Sequence, residues 1–86
     1  MGDIMEQMIF TSFQLATVLR NRRKLLGITQ KTAGEKVGLL PKTVSLLENN
    51  PEGCTIESLM KYFSALDLDL ALKPKNKKTD STHEWE

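Results

Sequence analysis

The sequence predicts an all-α fold of four short helices followed by one strand whose pairing partner must come from elsewhere. Three observations predict it. Apolar residues recur at helical spacing around positions 15–26, 33–37, 44–47 and 56–66. Thr11, Thr29 and Thr55 stand where helix N-caps belong. Residues 67–73, DLDLALK, then switch to a period of two.

The first helix opens with Thr11 and Gln14, the spacing of a capping box, flanked by Phe10 and Leu15 at the positions of a hydrophobic staple. Leu15, Leu19 and Leu26 follow at helical intervals with Val18 beside them, and Gly27 ends the run, giving a helix over 12–26. Thr29 caps the second helix, QKTAGEKV, in which Ala33 and Val37 share a face before Gly38 turns the chain. Gly34 inside this helix costs about 1 kcal/mol relative to alanine. A glycine retained there points to another backbone passing close by, as when two helices cross steeply over a short turn.

The third helix starts near Pro41, a residue suited to the first helical position because its missing N–H has no partner there anyway. Val44 and Leu47 face inward, leaving Lys42, Thr43, Ser45 and Leu46 on or near the outer side. Asn49, Asn50, Pro51 and Gly53 form a loop. In the fourth helix Ile56, Leu59, Met60, Phe63 and Leu66 make an apolar stripe that reads as core. Leu68, Leu70 and Leu72 then alternate with Asp67, Asp69 and Ala71. With no second strand in the chain, the expected partner is another copy across a twofold axis, so a homodimer.

Eighty-six residues allow one domain. A chain near this size buries only about 60% of its unfolded surface, and association is a common remedy. Cys54 is the single cysteine, which excludes an internal disulfide and suits a reducing compartment. No apolar run approaches the roughly 20 residues needed to span a bilayer. The opening MGDIMEQMIF lacks the basic-then-apolar order of a signal peptide. A soluble, cytoplasmic protein with no membrane partner is expected. Catalysis is not: His83 and Cys54 are isolated, and no carboxylate pair, phosphate-cradling loop or metal-spacing cluster occurs. No metal and no cofactor are expected.

The net charge of +1 is unevenly distributed. Residues 12–50 carry Arg20, Arg22, Arg23, Lys24, Lys31, Lys36 and Lys42 against Glu35 and Glu48, a net +5. Residues 51–72 carry a net −3. Such a basic segment is either a phosphate-binding face or a set of solvated helix faces.

Residues 30–49 resemble the helix-turn-helix of the phage-repressor class, also called the Cro or XRE type. The resemblance rests on Thr29–Gln30, Gly34, Gly38, Val44, Leu47 and Glu48–Asn49. Over 10–85 the chain is similar to the HipB antitoxins, through FQLA in the first helix, ENNP after the third, the LDLDLAL strand and a polar tail with Glu84–Trp85. The resemblance implies a four- to five-helix phage-repressor-like fold with a C-terminal β-strand pairing across a dimer. It divides the chain into an extension (1–9), a DNA-binding and dimerisation domain (10–73) and a disordered tail (74–86).

It implies, too, a repressor of its own operon that binds double-stranded operator DNA on the bacterial nucleoid and a HipA-like serine/threonine kinase toxin. A phage-type regulator with no toxin partner is the alternative. By resemblance, Gln30 contacts phosphate, Leu40, Pro41, Lys42, Ser45 and Leu46 face base edges, and Thr43 and Asn49 bind backbone phosphates. Arg23 and Glu48 match a structural ion pair. Trp85 has two readings, a chance aromatic in the tail or an anchor docking into the toxin. At Leu40 this class usually has a small polar cap and at Pro41 often a glutamine. The chain therefore has few side chains to hydrogen-bond bases: Lys42 to guanine and Ser45 to either kind of base, with apolar contact to thymine methyls.

Overall fold

The computed structural model describes residues 6–75. Four α-helices follow in order, α1 (Ser12–Leu25), α2 (Gln30–Val37), α3 (Pro41–Asn49) and α4 (Ile56–Ala65), with a 3-10 turn at Pro51–Gly53 before α4. All three expected threonine caps are present, each hydroxyl accepting from the backbone N–H three residues on. At Thr11 the box is complete: Gln14 Oε1 accepts from the Thr11 N–H and also from the Phe10 N–H. The expected staple is not seen in Phe10, which is 75% exposed. The glutamine's double acceptance fixes the chain's approach to α1 instead.

α1 packs on α3, while α2 lies against both α3 and α4. Between them sits a core of Leu19, Ala33, Val44, Leu47, Tyr62, Phe63, Ala65 and Leu66. Fully burying one leucine of this kind contributes about 1.5–3 kcal/mol, so these few side chains supply most of the driving force. The α4 stripe is rotated from its expected position. Leu59, Phe63 and Leu66 pack inward, but Ile56 and Met60 are exposed, and Tyr62 and Ala65 are buried in their place. Leu26, expected in the α1 stripe, caps the helix and is exposed.

Gly34 makes the crossing of α2 and α3 possible. A Cβ there would lie 2.7 Å from the Leu39 carbonyl oxygen and 2.9 Å from Val44 Cγ2. Gly38 ends α2 in the left-handed region at φ 74°, and α3 begins three residues later. The chain leaves α4 through Asp67, also left-handed at φ 57°. Asp67 N donates to Ser64 O and Leu68 N to Phe63 O, closing the helix end.

Beyond Leu68 the described residues contain no strand. Leu68 packs on the core, but Leu70 and Leu72 are 55% and 86% exposed. A strand needs another backbone to pair with, and the described residues provide none. Among the described residues no helix is long and apolar enough to cross a membrane.

Replacing Gly34 with alanine would improve helix propensity by about 1 kcal/mol but force a methyl onto a backbone carbonyl. Overpacking of this kind costs about 1–3 kcal/mol. Gly34→Ala is expected to lower the melting temperature, and an unchanged or raised value would mean that the α2–α3 crossing is looser than described.

Candidate nucleic-acid interface

The outer face of α3 is set by what lies behind it. Val44 and Leu47 are fully buried, three residues apart on one side of the helix. Leu40, Pro41, Lys42, Leu46 and Asn49 are consequently exposed, with Thr43 and Ser45 half-buried at the margins. Lys42, Thr43, Ser45, Leu46 and Asn49 border one open depression in the surface. The residues assigned to base edges and backbone phosphates on α3 are therefore gathered on one side of the helix. Leu40 is its N-cap in extended conformation and offers no side-chain acceptor, and Pro41 follows as the first helical residue. Asn49 Nδ2 donates to Ser45 O at 2.7 Å, so its amide lies back along its own helix.

Behind that face, the next residue after Leu47 is an ionised group. Glu48 is 1% exposed, and four donors converge on its carboxylate. Arg23 grips both oxygens, Nε to Oε2 at 2.7 Å and one terminal nitrogen to Oε1 at 3.0 Å. Tyr62 Oη donates to Oε2 at 2.5 Å, and Gln30 Nε2 to Oε1 at 3.1 Å. A carboxylate offers about four acceptor sites, so this one is saturated. Its partners come from α1, α2 and α4, tying all four helices together at one point.

Burial raises the cost of ionising Glu48, yet the hydrogen bonds from Arg23, Tyr62 and Gln30, with the arginine's charge, hold its carboxyl below the usual range. Burial, then the hydrogen bond to Glu48, pushes the Tyr62 phenol well above its ordinary value. The hydrogen bond to Glu48 raises Arg23, so the pair stays charged.

Three of the seven cations in the basic segment point inward. Arg20 donates to Glu48 O at 2.8 Å. Arg22 donates to Leu66 O at 2.9 Å and Asp67 O at 3.3 Å, clasping the end of α4. Arg23 also reaches Ile28 O at 3.0 Å. Lys24, Lys31, Lys36 and Lys42 remain exposed, with Lys31 at 3.7 Å from Glu35.

Gln30 is the first residue of α2 and half-buried; one amide hydrogen is engaged by Glu48, leaving a second N–H and the carbonyl. Leu68, Leu70 and Leu72 belong to the unpaired segment already described. Trp85 lies outside the described residues. Tyr62, Arg20 and Arg22 are the structural contributors that sequence reasoning passed over. A signal for Tyr62 existed: it lies three residues after Leu59 and four before Leu66, on the same helical stripe. Among the described residues no group of three or more His, Cys, Asp or Glu could hold a metal.

The helix-turn-helix family matches residues 19–73. Antitoxin HipB of Escherichia coli (strain K12) is 33% identical over 79 residues, covering 91% of this chain and 90% of the relative. The chain belongs to the HipB antitoxin family. Several solved structures share its fold. A chain of a HipA-HipB-O2-O3 complex aligns with TM-score 0.77 and 31% identity, covering 83% of this chain and all of that one. A chain of a HipB-O4 20mer complex aligns with the same score, identity and coverage. In this HipB-family chain the saturated carboxylate and the exposed face of α3 occupy opposite sides of one nine-residue helix.

Acid should undo the carboxylate cluster. A carboxyl depressed in the folded state contributes stability above its unfolded value, about 4.3. That contribution is lost as pH falls through the lower folded value. Tyr62 behaves conversely: its contribution is complete below about pH 10 and lost as pH rises through its raised folded value. Glu48→Gln is expected to cost about 3–5 kcal/mol at neutral pH, with the difference from the parent shrinking in melts at about pH 3 or below. A constant difference would separate the loss from ionisation.

Proposed function

We propose that this chain is the antitoxin of a HipA-like kinase toxin and a repressor of its own operon. It binds double-stranded operator DNA as a homodimer, with α3 in the major groove. The observation that carries the reading is the likeness, over most of the chain, to the HipB of a HipA-HipB-O2-O3 complex. In the HipB-O4 20mer complex we read the 20mer as an operator duplex, long enough for two half-sites about one turn of 10 bp apart. Two recognition helices related by a twofold axis suit such a site.

On α3, Lys42 supplies the one long cationic donor, reaching guanine O6 or N7, and Ser45 a hydroxyl for either base type. Leu40, Pro41 and Leu46 present apolar surface to thymine methyls. Thr43, Asn49 and Gln30 bind backbone phosphate, the last aided by the positive end of α2. Phosphate contact and DNA shape then supply much of the affinity.

The second copy is supported by apolar surface left open in one chain. Leu70 and Leu72 stand exposed within the chain's period-two segment, and Ile56 and Met60 are exposed on α4. Pairing of residues 67–73 across the twofold would give each copy the strand partner it lacks. The function is one of binding and not of catalysis, with no cofactor, and it belongs to the cytoplasm, at the nucleoid where the operator lies.

Salt titration tests the DNA part. With about six to ten phosphate contacts, operator affinity should fall by about 10³–10⁵ between 50 and 200 mM salt. Lys42→Ala is expected to weaken operator binding by about 1–3 kcal/mol, with relaxed preference at one base pair. A flat salt response in the parent chain would contradict the reading.

The toxin part includes Trp85 as an anchor in the tail. Deleting residues 79–86 is expected to weaken capture of the purified kinase while operator binding stays intact. Unaltered capture would assign toxin binding wholly to the helical domain.

A further inference from the structure

We infer that Tyr62 is a positioning residue for the DNA contact of Gln30, acting through Glu48; the inference rests on the operator-binding reading above. Three side chains form a relay from the core to the surface. Tyr62 on α4 is fully buried and donates to Glu48 Oε2. Glu48 on α3 is 1% exposed and accepts from Gln30 through its other oxygen. Gln30 is half-exposed at the first position of α2.

A carboxylate is a rigid planar group, so a constraint on one oxygen narrows the positions open to the other. Arg23 grips both oxygens, but it does so with a long side chain from α1 that is also drawn to Ile28 O. Tyr62 is a rigid ring with two torsions, locked among core residues. Its hydroxyl therefore references the carboxylate to the protein interior. Glu48 Oε1 then engages one amide hydrogen of Gln30 and fixes the direction of the other N–H and the carbonyl. At the same helix end the Thr32 and Ala33 N–H groups are taken by the hydroxyl and carbonyl of Thr29, which leaves the backbone N–H groups of Gln30 and Lys31 beside the glutamine's own side chain. A glutamine held in advance loses less rotamer freedom when it meets a phosphate.

The test is a double-mutant cycle on operator affinity. Tyr62→Phe keeps the ring and removes the one hydroxyl, and it is expected to weaken operator binding about three- to tenfold. In a Gln30→Ala background the same change should have no effect, because the residue it positions is gone. Combined with Lys42→Ala, which lies outside the relay, the two losses should simply multiply. A general structural role for Tyr62 would give the same loss in every background, and that result, or no loss at all, overturns the inference.

Should Tyr62→Phe fold poorly, a second measurement decides. Tyr62 is the only tyrosine, so 3-fluorotyrosine incorporation puts a single fluorine at this site. Its NMR signal is expected to shift on adding operator duplex to the labelled parent and to stay put in labelled Gln30→Ala. Equal shifts in both, or none in either, refute the relay. If the parent chain fails to bind operator, the functional reading and this inference fall together. If it binds and the cycle is additive, only the positioning role falls.

Discussion

One carboxylate organises this domain. Glu48 is the only charged side chain in the core of the described residues, and each of its partners sits on a different helix. A buried ion pair is poor evidence of net stability, since removing two charges from water costs several kcal/mol per ion. Its value here is geometric. A hydrophobic cluster of leucines and alanines tolerates small rotations of its helices, whereas four hydrogen bonds to two oxygens do not. The core supplies cohesion, and the carboxylate supplies register.

The inward arginines extend that logic. Arg22 holds the Leu66 and Asp67 carbonyls just past the end of α4, where Asp67 takes a left-handed turn that an aspartate adopts less readily than a glycine. Arg20 takes the Glu48 carbonyl on the backbone side of the same residue whose carboxylate holds Arg23. Guanidinium suits these places because it presents several donors in a fixed fork and is weakly hydrated. The exposed cations are then all lysines, strongly hydrated point charges on flexible stems. These favour phosphate attraction over fixed recognition.

Much of this was legible in the residues alone. Hydroxyl caps act over three residues, so Thr11, Thr29 and Thr55 could be placed from local spacing. Gly34 carried a penalty that only a close neighbour explains, and the neighbour is the Leu39 carbonyl. What escaped depends on rotation about a helix axis or on a second body. Ile56, Met60, Tyr62 and Ala65 all fit a period near 3.6, and choosing among them requires knowing where α2 lies against α4. A count of basic residues could not show that Arg20 and Arg22 turn inward, because their acceptors are backbone carbonyls invisible to composition. The 67–73 segment keeps its period of two without a strand, since a ladder is a property of two backbones.

The uncapped start of α3 ties these points together. Leu40 leaves the helix without the side-chain acceptor that a serine or threonine would offer, and Pro41 only partly compensates by presetting φ. In the proposed DNA complex the same two residues leave few hydrogen bonds for reading bases. On the proposed reading, a helix weak at its own start and sparse in directional contacts cannot rely on its DNA partner to fix its pose. It must be held from behind, within the roughly half-ångström tolerance of a productive site. That is the service of Glu48 near the far end of α3, with Val44 and Leu47 seated in the core ahead of it. The exposed face can be apolar and short of donors because the buried face is neither loose nor unsatisfied.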